Sequence, residues 1–305
     1  MRILMGVICV ALTLTFALSG KIEKAQAQKS RPDVYLEDEN TVRNCNHLNV
    51  NYSDRQTYWN EERHTIPASV GQVTLRPSEN AGAYIYGGTG ADYDVTVCKT
   101  AAGRNRADAD RILQRVRVSI SGGKVAAEGP TFDGDWGVFL IVGAPKGGSI
   151  DVETHNGPIS FRNFSGRVMA RAQNGPISLN DTTGEVRAHT QNGPIHVSGG
   201  GGDFQLDAQN GPIDVYLQGS RWDGKQLEGR AHNGPLTLTV PVGYSSGVRV
   251  DTSEHSPVRC VAEQCRSAAR TWSEPSRIQF GSGAPIVRLS TENGPVTVRS
   301  ARRSN

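Results

Sequence analysis

The sequence has very little net charge, and this shortage excludes whole classes of partner. Its 33 Lys and Arg residues against 30 Asp and Glu residues give a formal charge of +3 over 305 residues. Removal of residues 1–27, which carry three cations and one anion, would leave +1. Such a chain has no overall field to attract nucleic acid or an anionic membrane. The short basic end at 299–303 is typical of a solvated tail.

Long apolar runs are also scarce, and the only clear one lies at the N-terminus. It covers residues 3–18 behind Met1 and Arg2, and it is followed by Ala25-Gln26-Ala27, the small-x-small pattern of a signal-peptidase site. The alternative is an uncleaved anchor, because the run falls a little short of the ~20 residues that cross a bilayer. We predict a signal peptide over 1–27 and export to the periplasm, cell surface or medium, with no transmembrane span after cleavage.

Four cysteines follow the predicted leader: Cys45, Cys98, Cys260 and Cys265. An even number in an exported chain favours disulfides, and of the three possible pairings we expect Cys45 with Cys98 and Cys260 with Cys265. A zinc site is the competing interpretation, but no histidine lies beside either pair and the four do not form two CxxC knuckles. The sequence therefore predicts no metal and no cofactor.

Glycine is abundant, with 35 residues, and much of it belongs to a repeated Asn-Gly-Pro motif. The copies begin at Asn156, Asn174, Asn192 and Asn210, at intervals of 18 residues, and again at Asn233 and Asn293. A fixed period of this length is typical of a chain that stacks one small structural unit.

Each repeat predicts two short strands that face one interior. In the second copy, Ile177 and Leu179 stand three and five places after the Asn, while Val168 and Ala170 stand six and four places before it. Apolar residues thus occupy every second position on both sides of the asparagine, which is the period of a β-strand. A glycine eight places before the Asn, such as Gly166, marks a second turn. We predict an all-β fold, a single-stranded parallel β-helix or solenoid with coils of 18 residues.

Asn-Gly is also the strongest short signal for a hairpin, so an antiparallel meander is the alternative. The following proline decides between them, because Pro176 and its equivalents have no N–H to donate across a two-residue turn. At a coil corner the side chains of the six asparagines are expected to form a hydrogen-bonded ladder. The outward positions three places before the Asn agree with in-register stacking, because like charges are not neighbours among Glu153, Arg171, His189, Asp207 and Arg230.

The rest of the chain divides around these repeats. Residues 28–65 are expected to be an irregular lead-in, 66–140 a β-rich part with one short helix capped by Asn105, 141–300 the β-solenoid repeats, and 301–305 a tail.

Three motifs are candidates for catalytic or metal-binding chemistry. Gly243–Gly247 matches the Gly-x-Ser-x-Gly elbow of hydrolases around Ser245, but that elbow needs a strand-to-helix turn and strands flank it here. Gly87–Asp92 is similar to a calcium-binding nonapeptide, but it stands alone. His155 and His232 share the position before the Asn, where glutamines intervene between them, so a polar outer stack explains them better than a metal site.

The segment 148–161, Gly-Ser-Ile-Asp-Val-Glu-Thr-His-Asn-Gly-Pro-Ile-Ser-Phe, and its successors resemble a bacterial adhesin-like repeat domain family of unknown function. The resemblance covers residues from about 66 to 300. It implies a β-solenoid outside the cytoplasm with an adhesive or envelope role, and it supplies no catalytic residues. The persistent proline after Asn-Gly and the two cysteine pairs depart from the family's pattern.

Two functions of different classes follow. The first is an exported, non-enzymatic binding or scaffold protein of the cell envelope, whose partner is an unknown surface, glycan or protein. The alternative is a polysaccharide-active lyase or hydrolase on a β-helix. Such an enzyme concentrates acids and cations in one groove, whereas the acids here are spread over outward positions with alternating sign.

Overall fold

The computed structural model describes residues 33–36, 42–52, 55–131, 135–253, 256–271 and 276–301. The predicted signal peptide and residues 302–305 of the predicted tail lie outside these residues. Within them the chain is all-β, with two large sheets, one small sheet and a single α-helix, α1 (Arg106–Leu113). Three short 3₁₀ turns cover Cys45–His47, Ala68–Val70 and Glu263–Arg266.

The small sheet pairs β1 (Asp33–Leu36) with β2 (Leu48–Asn51) in antiparallel orientation. The larger of the other two, sheet I, has twelve strands, and their spatial order is β22 (Ala269–Thr271), β23 (Ser276–Phe280), β20 (Ser246–Thr252), β24 (Ser282–Asn293), β18 (Asp223–Asn233), β16 (Gly201–Asn210), β14 (Thr183–Thr190), β12 (Ser165–Ala172), β10 (Gly148–Thr154), β4 (Val73–Arg76), β8 (Lys124–Glu128) and β7 (Arg117–Ser121).

Sheet II has eleven strands. Their spatial order is β21 (Val258–Cys260), β25 (Val296–Ser300), β19 (Leu236–Val240), β17 (Ile213–Tyr216), β15 (Ile195–Ser198), β13 (Ile177–Asn180), β11 (Ile159–Arg162), β5 (Ala83–Gly87), β9 (Trp136–Ala144), β6 (Tyr93–Gly103) and β3 (Gln56–Ile66).

Successive repeats pair in parallel and in the same register in both sheets. Val168 lies opposite Val186 in sheet I, and Ile177 lies opposite Ile195 in sheet II, so each partner is 18 residues further along the chain. The inward residues of both sheets form one hydrophobic core, in which Ile177 is fully buried. Burial of such a side chain stabilises the fold by about 1.5–3 kcal/mol relative to exposure. The repeat therefore folds because each strand alternates between this core and solvent.

We call a strand of sheet I together with the next strand of sheet II a rung. The order of the rungs in space is not their order in the chain. From one end to the other it runs β8–β9, β4–β5, β10–β11, β12–β13, β14–β15, β16–β17, β18–β19, β24–β25 and β20–β21. The last rung in the chain, β24–β25, is thus inserted in space between β18–β19 and β20–β21, the two rungs that precede it in the chain. At the other end β8–β9 is the terminal rung, although β4–β5 comes before it in the chain.

Antiparallel strands flank the parallel ones, so both sheets are mixed. β7 pairs with β8, and β6 and β3 extend sheet II beyond β9, while β23 and β22 extend sheet I beyond β20. At three of the four sheet ends they cover parallel strands that would otherwise be exposed edges, which are prone to pairing with other chains.

The structure differs from the irregular lead-in expected over residues 28–65. β3 is an eleven-residue strand antiparallel to β6, and residues 42–52 pack on the outside of sheet II. There Val42, Leu48, Val50 and Tyr52 are buried in a second core. The periodicity of β3 is hidden because most of its side chains are polar and at least partly exposed.

The helix begins as the sequence predicts. The Asn105 side chain accepts a hydrogen bond from the Asp108 N–H at 2.9 Å, which satisfies one of the free donors of the first turn. Ala109 and Leu113 pack against Ala101 of β6. None of the helices in the described ranges has the length and apolar character needed to cross a membrane.

Candidate binding surface

The asparagines of the repeat form a continuous ladder along one corner of the stack. Each Nδ2 donates to the Oδ1 of the asparagine on the neighbouring rung, at distances of 2.8–3.1 Å from first to last. The ladder joins all six predicted residues, Asn156, Asn174, Asn192, Asn210, Asn233 and Asn293. It also continues to a seventh, because Asn156 donates to Asn80 at 2.9 Å.

Asn80 was missed by the repeat pattern. It lies in Asn-Ala-Gly-Ala-Tyr-Ile-Tyr, where Ala81 and Gly82 stand in place of Gly-Pro, and β5 follows it as β11 follows Asn156. The signal that could have revealed it is the alternation of Ala83 and Ile85 after the asparagine, which matches that of Ile159 and Phe161.

The residues after each asparagine allow the rungs to approach closely. A Cβ on Gly175 would collide with the carbonyl oxygen of Gly157 on the adjacent rung. The proline that follows needs no N–H, because its carbonyl supplies the contact between rungs: Pro194 O accepts from Ile177 N at 2.9 Å. The Asn-Gly-Pro corner is therefore satisfied between rungs and not across a hairpin.

The outer face of sheet I carries an open groove of about 550 Å³. Five neighbouring strands, β12, β14, β16, β18 and β24, line it with the same two outward positions, and β20 adds Asp251 at one end. These pairs are Met169 and Arg171, Arg187 and His189, Gln205 and Asp207, Glu228 and Arg230, and Arg288 and Ser290. We call this surface the sheet I groove. It runs across the strands, along the axis of the stack.

The arginines of the groove are held by carboxylates. Arg171 contacts Asp151 at 2.8 Å, and Arg288 contacts Glu228 at 3.2 Å. Arg187 and Arg230 pair with Glu185 and Glu292. These side chains are partly exposed, so each pair contributes no more than about 1 kcal/mol to folding. Their effect is to fix the guanidinium groups in place and to balance the charge of the groove.

A row of imidazole and carboxylate groups begins in the groove at His189 and Asp207 and continues beside it to His232 and Glu292. His189 Nδ1 lies 2.8 Å from Asp207 Oδ1, and Asp207 Oδ2 lies 3.2 Å from His232 Nε2. His232 Nδ1 is 3.4 Å from Glu292 Oε2. The hydrogen bond from Arg230 holds the pKa of the Glu292 carboxyl below its usual value, against the opposing effect of burial. Glu292 therefore accepts a hydrogen bond from Arg230 on the neighbouring rung.

Sheet II carries a comparable histidine–aspartate pair on its outer face. His196 Nδ1 lies 3.2 Å from Asp214 Oδ2 on the next strand. The hydrogen bond from His196 lowers the pKa of the Asp214 carboxyl, and burial opposes that shift. Serine and threonine fill neighbouring outward positions at Ser160, Ser178 and Thr237.

The cysteines pair as two disulfides, Cys45 with Cys98 and Cys260 with Cys265, with Cα–Cα distances of 5.5 and 5.8 Å. The first ties residues 42–52 to β6 on the outside of sheet II. The second closes a short loop next to β21, which ends sheet II. Each disulfide therefore fastens a segment at one end of the stack.

The structure gives the other candidate motifs local roles. Ser245 lies in the turn between β19 and β20, where its Oγ donates to the Ser220 carbonyl at 3.0 Å. In Gly87–Asp92 the Asp92 carboxylate accepts from Ala68 N at 2.9 Å. His155 Nε2 lies 4.0 Å from Glu79 Oε1. Among the described residues, no group of three or more His, Cys, Asp or Glu side chains is placed to hold a metal ion.

Comparison with known proteins gives similarity at low levels only. No protein-family model matches the chain, and no curated protein sequence does. Among solved structures, a putative cell adhesion protein from Clostridium sporogenes covers 80% of this chain and 100% of its own, at 8% identity and a TM-score of 0.32. A putative adhesin from Bacteroides fragilis covers 81% and 97%, at 10% identity and a TM-score of 0.38. A putative adhesin from Parabacteroides merdae covers 80% of this chain and 96% of its own, at 7% identity and a TM-score of 0.34.

Similarity at this level does not transfer a fold or a function. Both therefore rest on the residues of this chain.

Proposed function

We propose that this chain is an exported, non-enzymatic, adhesin-like protein that acts as a binding or scaffold element of the cell envelope. The observation that carries the proposal is the sheet I groove, in which five strands present the same two outward positions in register. A repeated surface of this kind, which presents charged and polar side chains on every strand, suits an extended partner better than a small substrate.

We further propose that the rungs are the coils of a single-stranded parallel β-solenoid. Parallel pairing at an 18-residue offset in both sheets supports this architecture, as do the shared core and the asparagine ladder. The antiparallel strands at both ends would then be caps, which repeat proteins need to shield their terminal units.

Export is supported by the chemistry of the cysteines. The chain has two disulfides, and such bonds persist in oxidising compartments and are rare in cytosolic proteins. The leader-like residues 1–27 agree with that compartment.

One observation favours the alternative, a polysaccharide-active lyase or hydrolase. The groove places Asp207 and Glu228 on the same surface as several arginines. A lyase or hydrolase needs carboxylates free to exchange protons with substrate. Asp207 is engaged by His189 and His232, and Glu228 is engaged by Arg288. This engagement favours the binding function.

Two experiments test the proposal. Fractionation of cells that express the full-length chain should place it outside the cytoplasm, with the mature N-terminus near residue 28. The purified mature protein should bind a glycan or protein partner in an array and should leave polysaccharides intact in lyase and hydrolase assays. Turnover that is lost on Asp207→Asn or Glu228→Gln would instead establish the enzyme.

A further inference from the structure

We propose that the sheet I groove binds a linear, uncharged polysaccharide that lies along the axis of the stack. This inference rests on the binding function proposed for the same surface and names its ligand class. It follows from the repetition of the groove, from its charge balance and from the kinds of side chain that line it.

The repetition sets the shape of the ligand. Neighbouring strands lie about 4.8 Å apart, so five strands give the groove a length of roughly 20 Å. Each strand adds the same two outward positions, and the groove is open along its length. A polymer whose units recur at a similar interval can make comparable contacts on each strand. A compact metabolite would use only one or two of the five.

The charge balance argues for an uncharged chain. Each groove arginine is already paired with a carboxylate of the protein, through Asp151 and Glu153, Glu185, Glu292 or Glu228. A polyanion would have to displace these partners and approach Asp207 and Asp251, which also line the groove. Sites for polyanions instead expose an excess of cations.

The paired groups remain able to bind hydroxyls. A guanidinium has five N–H donors, and one carboxylate uses at most two or three of them, while each carboxylate oxygen has more than one lone pair. Gln205 and Ser290 add side chains that both donate and accept. A surface with alternating fixed donors and acceptors matches a chain of hydroxyl groups, which also both donate and accept.

A protein partner fits the groove less well. The cores of protein interfaces are rich in aromatic side chains and poor in charged ones. The groove has Met169 as its one large apolar side chain at an outward position, and it is lined by charged residues on all five strands. Its chemistry therefore favours a glycan over a folded protein.

The test uses the full mature chain and isothermal titration with a panel of neutral hexasaccharides, namely cellohexaose, mannohexaose and laminarihexaose, against hexagalacturonate. At least one neutral hexasaccharide should bind at least tenfold more tightly than its own disaccharide and than hexagalacturonate. Its affinity should change little between 50 mM and 200 mM salt, whereas binding of a polyanion falls steeply over that range.

Gln205 provides the matched variants because it lies on the central strand of the groove and is exposed. Gln205→Trp should fill the groove and abolish binding, and Gln205→Ala should weaken it about fivefold, the value of one hydrogen bond. Ser178→Ala, at an outward position of sheet II, should leave the affinity unchanged. Circular dichroism should find all three variants folded.

Several results would overturn the inference. They are tighter binding of hexagalacturonate with a steep salt dependence, failure of every hexasaccharide to bind, and neutral binding that survives Gln205→Trp. The first and the last leave the broader binding function in place, because a ligand is still bound. Cleavage of any hexasaccharide by the wild type would instead remove the non-enzymatic function itself.

Discussion

At the scale of single residues, the Asn-Gly-Pro corner explains why three residues recur so strictly. The asparagine links the rungs through its side chain, the glycine leaves room for the neighbouring backbone, and the carbonyl of the proline accepts from the adjacent rung. These roles were largely predictable, because the proline excludes a tight hairpin and the period fixes the spacing.

The ladder gives a first prediction. Asn192 donates to Asn174 and accepts from Asn210, so Asn192→Ala removes two hydrogen bonds and should lower the free energy of unfolding by about 1–2 kcal/mol. The adjacent exposed Gln191→Ala serves as the control, with a change within about 0.5 kcal/mol. Urea unfolding measures both. Equal effects of the two substitutions would remove the ladder as a source of stability.

The assignment of inner and outer faces gives a second prediction. Ile177→Asp should unfold the local rungs, because burial of an unpaired carboxylate costs several kcal/mol and Ile177 is fully buried. His189→Ala, on the outer face, breaks an exposed pair with Asp207 and should cost at most about 1 kcal/mol. Thermal melting that ranks these variants in the opposite order would contradict the face assignment.

The third prediction concerns Ser245. Its hydroxyl donates to a main-chain carbonyl, whereas an activated serine needs a neighbouring base. Ser245→Ala should therefore change stability by about 1 kcal/mol or less and leave binding intact. Fluorophosphonate labelling of the wild type that disappears in this variant would establish a serine hydrolase.

At the scale of elements, the strands of the repeats were predictable and their order in space was not. Alternation located β12 to β17 well, since one face of each strand is buried against a common core. β3 escaped notice because its side chains are mostly polar. The position of β24–β25 could not be read from periodicity, because every rung presents a similar pattern of inward residues to its neighbours.

The equivalence of the rungs gives the fourth prediction. Deletion of Gly166–Thr183 removes one complete period, so β10 should pair with β14 in the original register and the protein should stay folded, about 4.8 Å shorter. Insertion of nine residues into β13 has no such compensation and should abolish the fold. Circular dichroism and small-angle scattering test both. Similar tolerance of the two changes would contradict stacking by periods.

At the scale of the whole molecule, the candidate site arises only when five rungs assemble. The sequence suggested that charges were scattered over outward positions, yet the register gathers them into one groove. The spacing of the repeats predicts that outward charges alternate in sign from rung to rung. It does not predict which charged side chains form ion pairs. Arg230, for example, meets Glu292 from a segment far along the chain, because β24 is inserted beside β18.

The inserted rung gives the fifth prediction. Truncation after Gly281 removes β24 and β25, which supply the parallel partner of β20 and, within the described ranges, the only strand partner of β21. Residues 246–271 should then become sensitive to limited proteolysis, while the rungs from β10 to β17 keep their protection. Unchanged protection of 246–271 in the truncated chain would show that these residues do not depend on the inserted rung.

The insertion of β24–β25 also constrains the order in which the rungs can fold. A ribosome or an export channel releases residues 246–260 before residues 282–300, yet the later segment must occupy the place between the earlier one and β18–β19. The stack therefore cannot grow rung by rung to its end as the chain emerges. Its final arrangement has to wait for release of the C-terminal segment, and until then the edge of β18–β19 stays available to any strand that matches its register.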